Sequence, residues 1–339
     1  MLKKIPENII ISRTDSIGDV VLTLPVAAVL KKNFPDIKVA FMGKSYTRPI
    51  IEACSYVDQF IDVKDFLKRR IKIGGKKPHA IVHELPSIPI SLRALQIGIP
   101  LRIGTTNRFY HWGTCNEMVK LGRKNSSLHE TQLNIKLLEP LGIATDFTLE
   151  ELGHLFKLER IQPLNPDLEK LIDKNKYNLI LHPKSQGSGR EWPLDHYIQL
   201  VRQLDLQRYK IFISGTEKER PLLQPLFSEV GNLVTDNTGK MDLYQFISFI
   251  NASDGLVASG TGPLHIAAAL GKDALGIYPP LRPIHPGRWQ PLGPHAKVFV
   301  LHKECVDCMG NKNACHCVRE VQPSWLKAHL DKVSTGVVK

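Results

Sequence analysis

The sequence predicts an α/β protein built from two doubly wound, parallel-sheet domains in series. Short apolar runs alternate with amphipathic stretches of helical period, which is the pattern of parallel strands joined by right-handed crossover helices. The alternation loosens between about Leu141 and Asn175, where Pro163 and Pro166 stand, and then restarts. At 339 residues the chain is long enough for two separate cores with a cleft between them.

In the first half, strands are expected over Ile9–Ser12, Val39–Met42, Gln59–Val63, Ala80–Glu84 and Arg102–Gly104. Helices are expected over Val20–Asn33, Tyr46–Cys54, Leu92–Gly98 and Glu130–Leu141. The span from Leu141 to Asn175 reads as an interdomain linker plus a helix. In the second half, strands are expected over Asn178–His182, Lys210–Ser214, Leu233–Asp236, Gly255–Ala258 and Ala274–Ile277. The matching helices are Leu194–Leu204, Leu243–Asn251 and Pro263–Leu270. Ser324 is suited to cap a last helix over Trp325–Lys332. The expected boundaries are residues 1–160, 161–322, and a C-terminal helix and tail over 323–339.

Composition narrows the function. The net charge is +12 and the pI about 9.4, a balance that suits an anionic partner. The basic residues are spread out, in short clusters such as Lys68-Arg69-Arg70 and Lys76-Lys77, and aromatics are only 7%. A surface that stacks bases needs more aromatic side chains, so a phosphate-bearing ligand near a membrane is favoured over nucleic acid. Met1 to Ile11 carries two lysines and an apolar run broken by Pro6 and Glu7, which is too short for a signal peptide. No stretch approaches the length of a membrane span. The expected place is the cytoplasm, with peripheral contact on the inner face of the membrane.

The stretch Ser12-Arg13-Thr14-Asp15-Ser16-Ile17-Gly18-Asp19 leaves the first strand and enters a helix. Open α/β sheets bind ligands at that edge. Asp19 can serve there as a general base, or be only a helix N-cap; position alone leaves the two readings even.

Three loops follow strands in the second half. Ser259-Gly260-Thr261-Gly262-Pro263-Leu264-His265 opens a helix, and its free N–H groups suit a phosphate. The loop from His182 to Pro193 carries Lys184, Ser185 and Arg190, cations and a hydroxyl that suit a diphosphate leaving group. Ser214-Gly215-Thr216-Glu217-Lys218-Glu219 carries carboxylates that could bond ribose hydroxyls, or simply favour a helix start. Near the C-terminus, Cys305, Cys308, Cys315 and Cys317 have spacing that could hold a structural zinc, against a bland reading as free thiols.

Taken in order, Asp19, the His182 loop, the Gly215 loop and Thr261-Gly262-x-x-His265 resemble glycosyltransferase family 9, the ADP-heptose lipopolysaccharide heptosyltransferases. The likeness runs from about Ile9 to Leu281, and Ser-x-Gly-Asp-Val-x-x-x-Leu-Pro, here Ser16 to Pro25, is its most specific motif. The resemblance implies a GT-B fold, two Rossmann-like domains facing across a cleft, with the acceptor domain first and the donor domain second. It implies an inverting, metal-independent sugar transfer without a catalytic cofactor, ADP-heptose as donor and an anionic glycolipid as acceptor. Asp19 matches the proposed base. Ser185, Arg190, Glu219, Thr261 and Gly262 match the donor side, where Lys184 is expected to add a cation and His265 completes the Thr-Gly-x-x-His motif. Gly260 stands where many members carry an Asp associated with the donor sugar. The loop Pro279 to Trp289 also differs from the best-known members, and its Arg282, His285 and Arg288 are candidates for donor or acceptor contact.

Two other classes compete. A non-catalytic nucleotide-sugar-binding module of envelope glycan assembly would bind the donor without turnover. A nicotinamide-dependent oxidoreductase is disfavoured because the first strand–helix turn lacks Gly-x-Gly-x-x-Gly.

Overall fold

The computed structural model describes residues 5–123, 126–187, 189–301 and 315–336. The chain divides into two compact units, Met1–Arg160 and Ile161–Lys339.

The first unit holds strands β1 (Asn8–Ser12), β2 (Lys38–Gly43), β3 (Gln59–Asp62), β4 (Ala80–His83), β5 (Leu101–Thr105) and β6 (Glu117–Val119). All pairings are parallel and the order is β3-β2-β1-β4-β5-β6. Every residue of β1 and β4 is buried, as a parallel sheet covered on both faces requires. The order reverses between β1 and β4, so the ligand crevice lies beyond their carboxyl ends.

Its helices are α1 (Ile17–Val21), α2 (Leu24–Asn33), α3 (Arg48–Ala53), α4 (Val63–Lys68), α5 (Ile88–Gln96), α6 (His111–Thr114), α7 (Glu130–Lys136) and α8 (Leu149–Gly153). The single helix expected over Val20–Asn33 is two. Pro25 has no N–H to continue a helix but sits without cost in the first turn of α2. Val63 is helical, because the Asp62 side chain accepts from the Lys64 N–H and stops β3. The segment after Leu141 contains a helix, as expected, with Thr148 and Glu151 forming a capping box on α8, and its Leu158 pairs back with Cys54.

The second unit holds β7 (Tyr177–His182), β8 (Tyr209–Ile213), β9 (Thr235–Asp236), β10 (Gly255–Ser259), β11 (Asp273–Ile277) and β12 (Ala296–Phe299), ordered β12-β11-β10-β7-β8-β9. Counted within the unit, this is the same order as in the first, with the reversal between β7 and β10. The helices are α9 (Pro166–Glu169), α10 (Leu194–Gln203), α11 (Gln224–Val230), α12 (Leu243–Ala252), α13 (Gly262–Ala269), α14 (Pro286–Trp289), α15 (His316–Arg319) and α16 (Pro323–Val333). Ser324 does not cap the last helix. Gln322 is its N-cap and Pro323, pre-set for helical φ, takes the first position.

The C-terminal helix is part of the second core. Leu326 and Leu330 are buried, and the Tyr209 hydroxyl meets Ser334 Oγ at 2.7 Å. Trp192, almost fully buried, donates its indole N–H to Val321 O at 2.9 Å and packs edge-on to Tyr197. Removing such a ring typically costs about 3–5 kcal/mol. This anchor fixes the end of the His182–Pro193 loop.

Candidate active site

At the edge of the first sheet, β1 runs straight into Arg13, whose side chain is nearly buried. Its guanidinium donates to Asp15 at 2.7 Å, to Glu130 at 3.0 Å, and to Asp19. Burial works against the Arg13 charge, but the carboxylates of Asp15, Asp19 and Glu130 outweigh it and hold the guanidinium more firmly protonated. Asp19 lies in the first turn of α1, and the N-cap position belongs to Ser16. The N-cap reading of Asp19 therefore fails. Its carboxylate accepts from Arg13 through one oxygen and from the Ser16 hydroxyl through the other.

Further residues brace this pair. Asn134 on α7 accepts from Arg13 at 3.4 Å and donates to Thr23 Oγ1 at 3.0 Å, while Thr23 donates to the Asp19 carbonyl at 2.7 Å. Glu84, just past β4, is fully buried and lies 3.5 Å from Arg123, which also donates to Glu130. Burial pushes the Glu84 carboxyl up to about 8, against the pull of Arg123 and Arg13. Its Oε1 has no partner among the described residues. Burial also raises Asp15, to about 6, against Arg13 and with help from Asp19. The Tyr46 hydroxyl donates to the Asp15 carbonyl at 2.5 Å. The result is a partly open carboxylate held by a buried network in which carboxylates outnumber the two arginines, a suitable mount for a proton acceptor.

At the edge of the second sheet, the loops after the adjacent strands β7 and β10 meet. The Trp192 N–H donates to Ser259 Oγ at 3.2 Å, and a Cβ on Gly189 would stand 3.3 Å from the Gly260 carbonyl. Lys184 and Ser185 are not open to solvent partners alone. Glu191 accepts from Lys184 Nζ at 2.6 Å and from the Ser185 N–H at 2.8 Å. Burial raises the Glu191 carboxyl, but these donors prevail and hold it below its usual range. Arg190 is buried, and its Nε has no partner among the described residues. Thr261 is the N-cap of α13 without capping it: among the described residues its buried hydroxyl has no partner, and no side chain caps the first N–H groups of the helix. Pro263 leaves fewer such groups to satisfy. His265 is buried one turn further on.

Glu219, rather than the exposed Glu217, turns inward. Its Oε2 accepts from the Thr216 N–H at 2.7 Å and hydroxyl at 2.9 Å, a capping box. His182, whose ring nitrogen meets Ser214 Oγ at 2.9 Å, is pushed down to about 4 by burial, against Glu219 and Glu191. After β11, His285 stands at the N-cap position of α14 without a side-chain cap bond and Arg288 is buried beside the Trp289 ring, while Arg282 lies just ahead of them. Burial, then Arg282 and Arg288, lower the His285 imidazole below its ordinary value. Gly260 has a physical counterpart. A Cβ there would meet the Tyr278 ring at 2.6 Å, so Tyr278 fills the space of a side chain at 260.

Residues 91–319 match the model of glycosyltransferase family 9 (heptosyltransferase). The chain belongs to glycosyltransferase family 9. A family 9 relative, lipopolysaccharide heptosyltransferase 2 of Escherichia coli, is 24% identical over 289 residues, 79% of this chain and 81% of its own. The family 9 glycosyltransferase of Veillonella parvula has the same fold, with a TM-score of 0.80 at 18% identity, over 97% of this chain and 98% of that one. E. coli heptosyltransferase WaaC with ADP gives 0.69 at 15% identity, over 96% and 99%. This family 9 chain is thus a glycosyltransferase of GT-B fold, each unit supplying one parallel sheet.

Sequence reading missed the braces around Asp19: Arg13, Glu84, Arg123, Glu130 and Asn134. Arg13 and Glu84 carried a signal, since both follow strands at the reversal of sheet order. Glu191 and Tyr278 also went unseen. Of the proposed zinc ligands, Cys305 and Cys308 lie outside the described residues. Cys315 and Cys317 are buried in the apolar second core. Among the described residues, no group of three or more His, Cys, Asp or Glu could hold a metal ion, and no helix is long and apolar enough to cross a membrane.

Proposed function

We propose that the enzyme transfers heptose from ADP-heptose to a lipopolysaccharide core acceptor in one inverting step, with Asp19 as general base. The observation that carries this reading is the Asp19 carboxylate mounted on Arg13 and Ser16 at the ligand edge of the first sheet. The family, and relatives whose names specify heptose transfer to lipopolysaccharide, support the substrate class. The neighbouring structure with bound ADP supports the nucleotide.

In this reading residues 1–160 bind the acceptor and residues 161–322 the donor. Asp19 takes the proton of an acceptor hydroxyl as that oxygen attacks the anomeric carbon. The bond to the diphosphate breaks on the opposite face, and its electron pair leaves on the β-phosphate oxygen of ADP. Inversion follows from a single displacement. Arg190, the Thr261 hydroxyl and the start of α13 meet the developing charge, work that fixed donors perform well. Lys184 adds a second cation, and Glu219 faces the ribose. His265 supports the α13 turn, and Arg282, His285 and Arg288 border the donor. Metal-independent transfer is part of this proposal. So is action at the cytoplasmic face of the membrane, where a lipid-linked acceptor would be met.

The test pairs Asp19→Asn with Arg190→Ala. Asp19→Asn should lose about 10²–10⁴-fold in kcat while keeping ADP affinity by calorimetry. Arg190→Ala should weaken ADP binding about tenfold or more. Full turnover in Asp19→Asn would sink the base, and ADP binding without turnover on any acceptor in the parent protein would mark a silent binding module.

A further inference from the structure

Large exposed apolar side chains gather on one part of the first unit. On α5, Ile88, Leu92 and Leu95 stand at i, i+4 and i+7, one stripe left in water, with Leu92 53% exposed. The opposite stripe, Ile90 and Ala94, is buried in the core of the unit. Leu67 of the adjacent α4 is also exposed, and with Pro89, Leu92 and Leu95 it lines an open groove. Arg93 clamps the two helices together. Its Nε donates to the Phe66 carbonyl and its Nη2 to the Arg69 carbonyl, both at 3.2 Å. The turn from β5 into α6, which packs on α5, exposes Phe109 at 82% and Trp112 at 65%. The Trp112 indole N–H donates to the Thr106 carbonyl at 3.1 Å, so the ring is held in its outward position.

The charge around these residues is one-sided. Lys64, Lys68, Arg69, Arg70 and Lys72 are exposed on and just after α4. Between Lys64 and Trp112 the only acidic residues are Asp65 and Glu84, and Glu84 is fully buried. An apolar stripe with exposed aromatics and a basic fringe matches the headgroup boundary of an anionic bilayer: apolar chains enter the acyl edge, and Lys and Arg meet lipid phosphates.

The geometry points to this face as the docking surface of the enzyme on an anionic lipid bilayer. The inference rests on the lipid-linked acceptor of the proposed function and names the surface that reaches it. The helices α4 and α5 and the turn into α6 all leave the carboxyl ends of β3, β4 and β5. That is also the edge that carries Asp19. Phe109 and Trp112 lie in the turn at that edge, whereas Leu67, Arg69, Arg70, Leu92 and Leu95 lie toward the far ends of their helices, so docking holds the enzyme beside the membrane without placing Asp19 on it.

The test is sedimentation of the full-length protein with vesicles of phosphatidylethanolamine and phosphatidylglycerol, against vesicles of phosphatidylcholine alone. Binding to the anionic vesicles should be strong and should weaken as salt is raised. The double variants Leu92→Ser/Leu95→Ser and Arg69→Glu/Arg70→Glu should each bind about tenfold or more weakly. Both should melt like the parent, because the replaced side chains face water. Parent protein that ignores anionic vesicles, or variants that bind as well as the parent, would overturn the proposal. So would an apolar variant that only converts a dimer to a monomer, since the face would then belong to a second copy of the chain. ADP binding, measured on the same preparations, separates the two proposals. ADP binding without vesicle binding removes the docking face alone, and vesicle binding without ADP binding removes the transfer reading alone.

Discussion

Replacing Arg13 by Met should unlock the edge of the first sheet. The guanidinium is 4% exposed and faces Asp15, Asp19 and Glu130, whose side chains are 27%, 18% and 2% exposed. Methionine fills much of the same volume, so the cost is mostly electrostatic. Removing one partner of a buried ion pair usually costs about 3–5 kcal/mol. Arg123 still reaches Glu130, and water reaches Asp15 and Asp19, so the expected loss is at the low end, about 3 kcal/mol. Two units need not unfold together, and one melting curve would blur the effect. Native-state hydrogen exchange resolves it: β1 amides should exchange roughly 100-fold faster at pH 7, with β7 amides unchanged. The deficit should shrink on acidification. Without Arg13 the carboxylates hold protons more tightly in the folded state, so stability relative to the parent returns as pH falls. Asp15, already near 6 in the parent, places the start of that recovery above the usual carboxylate range. Exchange of β1 within threefold of the parent at pH 7, roughly 0.6 kcal/mol, would refute the argument.

Two further predictions concern buried positions. Glu84 binds its proton more tightly folded, at about 8 against 4.5 in the free side chain, so it favours the folded first unit at low pH and penalises it as pH rises through that window. Glu84→Gln should flatten the pH dependence of urea stability there by up to about 1.4 kcal/mol per pH unit, and identical slopes for the two proteins would exclude the assignment. Gly260→Asp should force its side chain against Tyr278 and cost about 1–3 kcal/mol in the second unit. In a Tyr278→Ala background the same Gly260→Asp substitution should cost less in thermal melts than it does in the parent, and an unchanged melting temperature in Gly260→Asp would show that the ring yields freely.

Central strands were legible because parallel strands buried on both faces are apolar throughout, as Ile9-Ile10-Ile11 and Leu179-Ile180-Leu181 are. β6 and β12 were not, because short strands at the rim of a sheet, Glu117-Met118-Val119 and Ala296-Lys297-Val298-Phe299, mix polar with apolar residues. The break at Leu22 and Thr23 was readable from Pro25 but was passed over. Asp19 could be picked out from its place after the first strand. Its surroundings could not, since the Arg13–Glu130 contact spans 117 residues and needs the fold to exist. The loop from His182 to Pro193 gave up its cations but not Glu191, which occupies Lys184 and Ser185 and leaves Arg190 as the less engaged cation.

The two sheets share one strand order but differ in the chemistry of their ligand edges. The edge at β1 and β4 concentrates Asp15, Asp19, Glu84 and Glu130 around two arginines already spent on them. A phosphate brought there would meet carboxylates first, whereas a neutral hydroxyl would meet an acceptor for its proton. The edge at β7 and β10 has the reverse character, with Arg190 Nε and the Thr261 hydroxyl without partners among the described residues and a helix start that no side chain caps. Duplicated topology therefore does not imply duplicated ligands. In the proposed reading the first edge accepts a proton, and its carboxylates disfavour the anionic groups of a glycolipid there. In that reading the anchoring of those groups falls to cations outside the network, among them Lys64, Lys68, Arg69 and Arg70, exposed on and just after α4.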